Sequence, residues 1–238
     1  MKSGKGQVIE IYLDAGARIS CPPELIPAPG QYLLASDASD ATLSVSKCAP
    51  LPVPLYYTDS APEGSAMAPW RHFISAPPLP ESWLPGRQLN LRGPLGRGFV
   101  IPTSARKIAL VAFDDAPLRL RGLIRPALKQ GAAVVLVTDF AVDNLSDEVE
   151  AQPLSALQDV VAWADYVAVD VARANLFGLR ERLGKLNQLS ALSAAQILIR
   201  TPMPCGGVAE CGVCALSLKS GWKMACKDGP VFEWKELA

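Results

Sequence analysis

The 238-residue sequence contains a single histidine, His72, and therefore a single imidazole that could titrate near neutral pH. A metal site built on two or more histidines is therefore excluded, and a Ser-His-Asp triad would have to use His72. The charged side chains balance, with 23 Lys and Arg against 23 Asp and Glu. A neutral chain has no surplus of cations for a broad nucleic-acid or anionic-membrane surface, so neither partner is expected.

Long apolar segments are also missing. No window of the sequence reaches the roughly 18 consecutive apolar residues that a transmembrane helix needs. The positively charged segment 1–6 is not followed by the apolar segment of a signal peptide. We therefore expect a cytoplasmic protein without a membrane anchor. In that reducing compartment a tight group of cysteines more often forms a metal or redox site than a disulfide framework.

Proline is abundant but unevenly distributed. Fifteen of the 21 prolines lie at or before Pro102, and proline is depleted from helix interiors and central strands. The first zone, 1–103, should therefore consist of short strands and turns, as in a small antiparallel β-barrel or a sandwich. Alternation of apolar and polar residues predicts strands at 7–13, 31–35, 42–46, 54–58, 72–75 and 88–92.

From about residue 104 the pattern changes to apolar runs that alternate with helical periodicity. It predicts strands at 107–113, 133–138, 166–170 and 195–200, and helices at 118–130, 154–164 and 173–188. A repeated β-α-β order implies a mainly parallel sheet covered by helices, which gives a central α/β domain at 104–200. Arg121, Arg125 and Lys129 recur at helical spacing and, with Arg119 nearby, suggest a solvated face.

Four of the six cysteines fall in the last zone, 201–238, which is too short to bury a core of its own. Their spacing is Cys205-x5-Cys211-x2-Cys214-x11-Cys226. A plant-type [2Fe-2S] loop has C-x4-C-x2-C and a distant fourth cysteine, so the first gap here is one residue longer. Four-cysteine zinc sites also use short pairs, but the wide first gap suits them poorly. The spacing favours an iron-sulfur cluster and leaves zinc or disulfides as alternatives.

Motifs in this sequence resemble the dihydroorotate dehydrogenase electron transfer subunit. The last zone has the family's Met-x-Cys-Gly at 203–206, its Cys-x2-Cys at 211–214, and a final cysteine followed by Asp-Gly-Pro-Val-Phe at 226–232. The first zone has similar strings at 29–32 and 93–99. The resemblance implies an α+β multidomain protein: a flavin-binding-like barrel, a ferredoxin-reductase-like nucleotide domain, and a small [2Fe-2S] domain at 201–238. It also implies that the cluster ligands are Cys205, Cys211, Cys214 and Cys226.

The segment that binds FAD in this family is altered. Its Arg-Pro-x-Ser motif is matched here by a string that begins at Val53, so the arginine that faces the pyrophosphate is absent. The resemblance places the candidate flavin contacts at the following positions: Pro54, Leu55, Tyr56 and Tyr57. The aromatic pair could line an isoalloxazine ring or be ordinary strand residues. FAD therefore remains open as a second cofactor.

Two further family motifs that contact NAD(P) are replaced. After the first strand of the α/β domain, Asp114 and Asp115 stand where relatives have a glycine-rich phosphate turn. These carboxylates suit the N-terminus of the following helix, where they would act as caps. At 166–170 the sequence lacks the Cys-Gly-Pro turn that lies beside the nicotinamide. NAD(P) is therefore not expected as a cofactor.

These observations predict an electron-transfer subunit that relays electrons through a [2Fe-2S] cluster. In the family that the chain resembles, the partner is the FMN-containing catalytic subunit of dihydroorotate dehydrogenase, which implies a hetero-oligomer in pyrimidine biosynthesis. The chain would then be a component of an oxidoreductase rather than a complete enzyme. The alternative is a structural or regulatory subunit in which the four cysteines hold zinc.

Overall fold

The structure is a computed structural model that describes residues 1–12, 16–38, 51–60, 71–76, 78–183 and 194–237. The strand predicted at 42–46 and the isolated Cys48 lie outside the described residues. The described chain forms a barrel, a six-stranded sheet with helices, and a short C-terminal segment that contacts both.

The first zone forms a closed six-stranded antiparallel barrel. Its strands are β1 (Lys2–Tyr12), β2 (Gly16–Cys21), β3 (Tyr32–Asp37), β4 (Val53–Ser60), β5 (Arg71–Ser75) and β6 (Gln88–Leu95). They pair in the order β1-β2-β5-β4-β3-β6 and enclose an apolar interior that includes Ile19, Leu55 and Phe73. Closure leaves no unpaired sheet edge. The barrel that was predicted from the proline-rich zone is confirmed.

The second zone forms the parallel part of a sheet. Its strands are β7 (Lys107–Ala112), β8 (Ala133–Val137), β9 (Val149–Gln152), β10 (Tyr166–Ala172) and β11 (Ala195–Arg200). Its helices are α1 (Leu118–Arg121), α2 (Ile124–Lys129), α3 (Leu157–Trp163) and α4 (Leu176–Leu183). The strands pair in the order β11-β10-β7-β8-β9, all parallel. The helix predicted at 118–130 is interrupted between α1 and α2, at Gly122 and Leu123.

The C-terminal segment is joined to both larger units. It contains β12 (Ala215–Leu218), β13 (Gly221–Met224), α5 (Ala225–Asp228), β14 (Val231–Glu233) and α6 (Trp234–Leu237). Strand β14 adds to the α/β sheet by pairing antiparallel with β11, and Val231 and Phe232 are buried there. The segment is too short to form a core of its own, so its apolar residues pack into the core of the sheet.

One apolar core joins the three parts. It contains the sheet residues of the second zone, the C-terminal segment, and three barrel residues that face outward, Tyr32, Leu34 and Tyr56. The predicted fold class is confirmed: a β-barrel, an α/β sheet and a small C-terminal region. Among the residues with described structure, no helix has the length and apolarity to span a bilayer.

Candidate functional site

Three of the C-terminal cysteines, Cys205, Cys211 and Cys214, lie on the loop between β11 and β12, and Cys226 follows the β12–β13 pair. Cys205 is half-buried and Cys211 is exposed, whereas Cys214 and Cys226 are buried. Cys214 directly precedes β12, and Cys226 lies in α5. The Ala225 N–H donates to the carbonyl of Cys214 at 3.1 Å, which brings these two parts of the segment together. Cys214 and Cys226 are thus the buried pair, and Cys205 and Cys211 the more exposed pair.

Backbone N–H groups of the loop point toward the sulfur atoms. Cys205 accepts hydrogen bonds from the N–H groups of Val208, Glu210 and Cys211, and Cys226 accepts one from Ala209. Ala209 has a φ of 64°, a left-handed conformation that is uncommon for a residue with a side chain. Successive N–H groups that converge on one side form an anion-binding concavity. Thiolate ligands of a metal cluster are stabilised by such donors.

The cysteine thiols form two pairs. The side chain of Cys205 is hydrogen-bonded to that of Cys211, and the side chain of Cys226 to that of Cys214. Burial raises the pKa of the Cys205 thiol, but the hydrogen bonds from Cys211 and the loop N–H groups outweigh burial and lower it to about 6. Burial raises the pKa of Cys226 to about 12, and the adjacent Cys214 contributes to the rise. The loop N–H groups therefore stabilise negative charge at Cys205.

This pairwise arrangement bears on the kind of metal that fits. A tetrahedral zinc site needs all four sulfurs on one ion, each about 2.3 Å from it. A two-iron cluster instead takes two ligands on each iron. The arrangement of two cysteine pairs surrounded by N–H donors fits the [2Fe-2S] cluster better than a single zinc ion.

Side chains from both larger units hold the cysteine loop in place. The Tyr32 hydroxyl of the barrel donates to the Cys226 carbonyl at 2.7 Å, and Arg92 of β6 donates to the Gly206 carbonyl. On the other side, Arg173, which follows β10, donates to the Val213 carbonyl at 2.7 Å. The contacts of these three residues with the cysteine loop were not predicted, because each residue is far from the cysteines in the chain; Tyr32 lies in the string at 29–32, which gives no sign of such a contact.

We expect Gly207→Ala to loosen this loop. Gly207 has a φ of 73°, and a Cβ atom there would lie 3.1 Å from both the Tyr32 hydroxyl and the Leu34 side chain. The left-handed conformation alone costs an added side chain about 1 kcal/mol, and the contact with the barrel adds to that cost. The measurement is the rate of absorbance loss when the anaerobically purified protein is exposed to an iron chelator. We expect faster loss in the variant.

Gly212→Ala is the matched control for this prediction. Gly212 lies in the same loop with a φ of 70°, but a Cβ atom there would meet nothing within 4 Å. Both variants carry the same conformational cost, so only the contact with the barrel differs between them. Equal rates of cluster loss in the two variants would show that the contact of Gly207 with the barrel is unimportant.

The predicted flavin contacts lie on β4, and the strand divides them between two surfaces. Leu55 points into the barrel interior and is fully buried, so it does not face a ligand site. Tyr56 points to the opposite side, where it joins the α/β core with 6% of its surface exposed. Tyr57 and Pro54 are half-buried, and the Tyr57 ring stacks on Phe73 at 6.5 Å between centroids. Their role as flavin contacts stays a prediction.

A buried network of ion pairs lies against Tyr56. The Arg119 guanidinium is 5.7 Å from the centre of the Tyr56 ring and is paired with Asp115 at 2.9 Å and with Asp170 at 3.4 Å. Arg200 donates to the second oxygen of Asp170 at 2.7 Å and is also paired with Asp114. These residues lie at the carboxyl ends of β7, β10 and β11, which is where open α/β sheets bind ligands.

Two expectations from the sequence are corrected here. Arg119 is only 3% exposed and lies in the ion-pair network, so it does not belong to the solvated basic face. Asp114 and Asp115 do not cap α1, which has no side-chain cap. Asp114 instead accepts the N–H of Ala172, the last residue of β10, at 2.9 Å, and pairs with Arg200. The two carboxylates pair with Arg119 and Arg200, because the charge of the buried Arg119 would be costly if it were unpaired.

The pKa directions in the network follow from burial and pairing. Burial raises the pKa of Asp170, and the guanidinium groups of Arg119 and Arg200 oppose that rise from two sides. Burial also tends to raise the pKa of Asp115, but the charge and hydrogen bond of Arg119 outweigh burial and lower that pKa below its usual value. Burial raises the pKa of Tyr56, whose ring also lies within electrostatic reach of the cluster residue Cys214. The network and the cysteine loop are therefore neighbours.

Residues 201–238 match the family described as the iron-sulfur cluster binding domain of dihydroorotate dehydrogenase B. The match covers the C-terminal segment with all four cysteines. Together with the ferredoxin-reductase-like fold it supports the resemblance drawn from the sequence, that of a protein like the dihydroorotate dehydrogenase electron transfer subunit. It also supports an iron-sulfur cluster as the cofactor of this segment.

The described chain has the fold of ferredoxin-reductase-like proteins. One similar solved structure is that of an NADH-dependent reduced ferredoxin-NADP oxidoreductase, determined for insights into flavin-based electron bifurcation. The match covers 98% of this chain and 89% of that chain, with a TM-score of 0.66 and 14% identity. A cytochrome P450 reductase from Amycolatopsis matches 84% of this chain and 70% of its own, with a TM-score of 0.58 and 13% identity. The ferredoxin reductase of carbazole 1,9a-dioxygenase matches 82% and 68%, with a TM-score of 0.56 and 14% identity.

The two cofactors differ in how the described residues fit them. The cysteine loop fits a [2Fe-2S] cluster, since it brings two pairs of thiols together under backbone N–H donors. The outward face of β4 does not fit the isoalloxazine ring of FAD as it stands, because Arg119 already covers the Tyr56 ring. The position of the family's pyrophosphate arginine is occupied by Val53. The cysteine loop thus fits an iron-sulfur cluster as it stands, whereas Arg119 covers the face of β4 on which flavin contacts were predicted.

Proposed function

We propose that this chain is an electron-transfer subunit that carries electrons through a [2Fe-2S] cluster held by the following residues: Cys205, Cys211, Cys214 and Cys226. The observation that carries the proposal is the pairing of the four thiols, Cys205 with Cys211 and Cys214 with Cys226, within one loop of inward-pointing N–H groups. When bound, such a cluster supplies reversible one-electron transfer. The match of this segment to an iron-sulfur domain family supports the same assignment.

The loop's own residues set the environment of the cluster. N–H donors concentrate at Cys205, which favours negative charge on that side of the site. On the buried side, Cys214 and Cys226 are nearly inaccessible, so water is excluded there. The Tyr32 and Arg173 hydrogen bonds fix the loop against two separate units of the fold. A rigid, partly dry site of this kind limits reorganisation when the charge of the site changes.

The exposed side of the loop is where we propose that electrons enter and leave. Cys211 is exposed, and the apolar residues Val208 and Val213 beside the cysteines are each more than 40% exposed. Electron-transfer proteins associate through small interfaces, so the residues around an exposed redox site form most of the contact with the partner. Among the charged side chains of this region, Lys219, Lys223 and Lys227 are candidates for contacts with an acidic partner.

The partner that we propose is a catalytic subunit of the dihydroorotate dehydrogenase type, in a hetero-oligomer that serves pyrimidine biosynthesis. The support is the description of the matched domain family, which belongs to dihydroorotate dehydrogenase B. The reductase-like fold supports electron transfer in general but not this particular partner, because the solved structures are only 13–14% identical to this chain.

Anaerobic purification of the full chain tests the cluster. We expect a coloured protein with about two irons and two sulfides per chain, and a paramagnetic signal after one-electron reduction, as for thiolate-bound [2Fe-2S] centres. A colourless protein with one zinc per chain would contradict the proposal and support the structural or regulatory alternative. Four thiolates on one zinc give no visible absorption and no redox change.

The same preparation tests the partner. The oxidised chain is mixed with the catalytic dihydroorotate dehydrogenase subunit of the same organism, and dihydroorotate is then added. We expect the visible bands of the cluster to bleach only when both the catalytic subunit and dihydroorotate are present. Bleaching by dithionite but not by this mixture would leave the cluster assignment intact and refute the proposed partner.

A further inference from the structure

The face of β4 on which the resemblance places a flavin is covered by the protein itself. We propose that Arg119 and helix α1 occupy the position of the flavin ring, so that, among the residues the structure describes, electrons pass through the [2Fe-2S] cluster and not through a flavin on β4. The proposal rests on the proposed electron-transfer function and extends it. It means that the partner exchanges electrons with the cluster directly, without a flavin inside this subunit.

The first observation is the position of Arg119. Its guanidinium lies over the Tyr56 ring, 5.7 Å from the ring centre, and the side chain is almost completely buried. Tyr56 is itself only 6% exposed. A planar cation over an aromatic face uses the same surface that a stacked ring system would use. An isoalloxazine ring could therefore reach Tyr56 only if the Arg119 side chain left its place.

The second observation is the contact between α1 and Tyr57. Gly122, at the end of α1, lies so close to the Tyr57 ring that a Cβ atom there would be 2.5 and 2.8 Å from two ring carbons. The Tyr57 ring also stacks on Phe73 of β5. One ring face is therefore engaged within the barrel wall, and part of the ring edge meets the backbone of the α/β unit. No layer as thick as an aromatic ring separates Gly122 from Tyr57.

The third observation is the charge of the region. The network contains three carboxylates, Asp114, Asp115 and Asp170, and two guanidinium groups, Arg119 and Arg200, which leaves one net negative charge. Both guanidinium groups are already engaged by carboxylates. A pyrophosphate needs cations or free N–H groups, and buried carboxylates repel it. The network thus disfavours a pyrophosphate at the carboxyl ends of β7, β10 and β11, where its carboxylates lie.

The covered face retains two groups that could bind a ligand once exposed. The Tyr56 hydroxyl and the Thr58 hydroxyl, two residues apart on β4, are buried and have no hydrogen-bond partner among the described residues. Tyr56 lies next to Arg119 and within electrostatic reach of Cys214, so its hydroxyl is near both the ion-pair network and the cysteine loop. Removing the Arg119 side chain should expose an aromatic face with two hydroxyls to bond the polar edge of a flavin.

The wild-type chain gives the first test. The full chain is purified anaerobically, denatured, and assayed for released flavin, and the intact protein is titrated with FAD by fluorescence quenching. We expect iron and sulfide but no stoichiometric flavin, and no saturable FAD binding. About one FAD released per chain would overturn this inference whatever the iron content. Absence of iron would instead count against the proposed function, so the two failures are distinguishable.

The variant Arg119→Ala gives the second test, with Arg119→Gln as a less disruptive form and Arg121→Ala as the control on the same helix. Iron content and the visible spectrum report whether each variant is folded. We expect folded Arg119 variants to bind FAD saturably under conditions in which the wild type shows no saturable binding. Arg121→Ala should behave as the wild type. Folded Arg119 variants without FAD binding would overturn the assignment of Arg119 as the group that fills the site.

Discussion

Replacing Cys214 by Ala is expected to remove the cluster and to unfold the C-terminal segment. Cys214 is 1% exposed, its side chain is paired with Cys226, and its carbonyl accepts the Ala225 N–H. The segment 201–237 has little core of its own, so metal-ligand energy, on the order of 10 kcal/mol in small metal domains, substitutes for one. We expect the iron content to fall from about two per chain to near zero. Hydrogen exchange should become fast in 201–237.

Cys21→Ala is the matched control, because Cys21 is another fully buried cysteine but lies inside the barrel. Its loss should lower the free energy of unfolding by about 1 kcal/mol through the missing sulfur atom. Iron content and spectrum should stay as in the wild type. If Cys214→Ala kept its iron and its spectrum, Cys214 would not be a ligand and the proposed set of four would be wrong.

The second large effect is expected from Asp170→Asn, a change that keeps the shape of the side chain and removes its charge. Asp170 is 1% exposed and accepts from Arg200 at 2.7 Å on one oxygen and from Arg119 at 3.4 Å on the other. In the variant an amide NH₂ faces a guanidinium, and the buried Arg119 keeps Asp115 as its remaining paired carboxylate. Breaking a buried pair costs about 3–5 kcal/mol. We expect the urea midpoint of unfolding to fall accordingly.

The control for this experiment is Asp37→Asn on the barrel. Asp37 forms two hydrogen bonds with Arg87, at 2.9 and 2.7 Å, but the Arg87 side chain is 41% exposed. Solvent and salt screen such a pair, so we expect a much smaller change in the urea midpoint than for Asp170→Asn. Similar midpoints for the two variants would show that the network around Asp170 is not a major source of stability.

The two predictions separate the roles of neighbouring groups. Loss of Cys214 should affect iron content first and stability of the C-terminal segment as a consequence. Loss of the Asp170 charge should affect the stability of the whole interface between barrel and sheet, with iron retained in molecules that stay folded. The Tyr56 ring, which is near both Cys214 and Arg119, is the physical link between these two regions.

Much of the fold could be predicted from local patterns. Alternation predicted most of the barrel strands, and apolar runs separated by helical periodicity predicted four strands of the parallel sheet within a few residues of their observed ends. The strands β2, β9 and β12 to β14 were missed. Strand β14 has only three residues and forms because it pairs with the edge of β11. Three residues are too few to show a strand periodicity, so the sequence pattern could not predict it.

The sequence pattern was least informative about the surroundings of the predicted flavin contacts on β4. It identified Tyr56 and Tyr57 on one strand but could not show that they face different surroundings, or that α1 lies against them. It placed Arg119 with a solvated face because its neighbours at helical spacing are basic. One local signal was available: Asp170 stands within an apolar strand, and a carboxylate in such a run needs a buried partner.

The sequence by itself determined the metal-binding chemistry of this protein, because cysteine spacing, flanking glycines and the Asp-Gly-Pro-Val-Phe string at 228–232 are local features. Only the tertiary structure decided what surrounds that site. Arg119 and Asp170 are 51 residues apart, and Tyr32 and Cys226 are 194 residues apart, yet each pair is in contact. Such pairs form because a buried charge or carbonyl must find a partner. Which partner it finds depends on how the barrel and the sheet pack together.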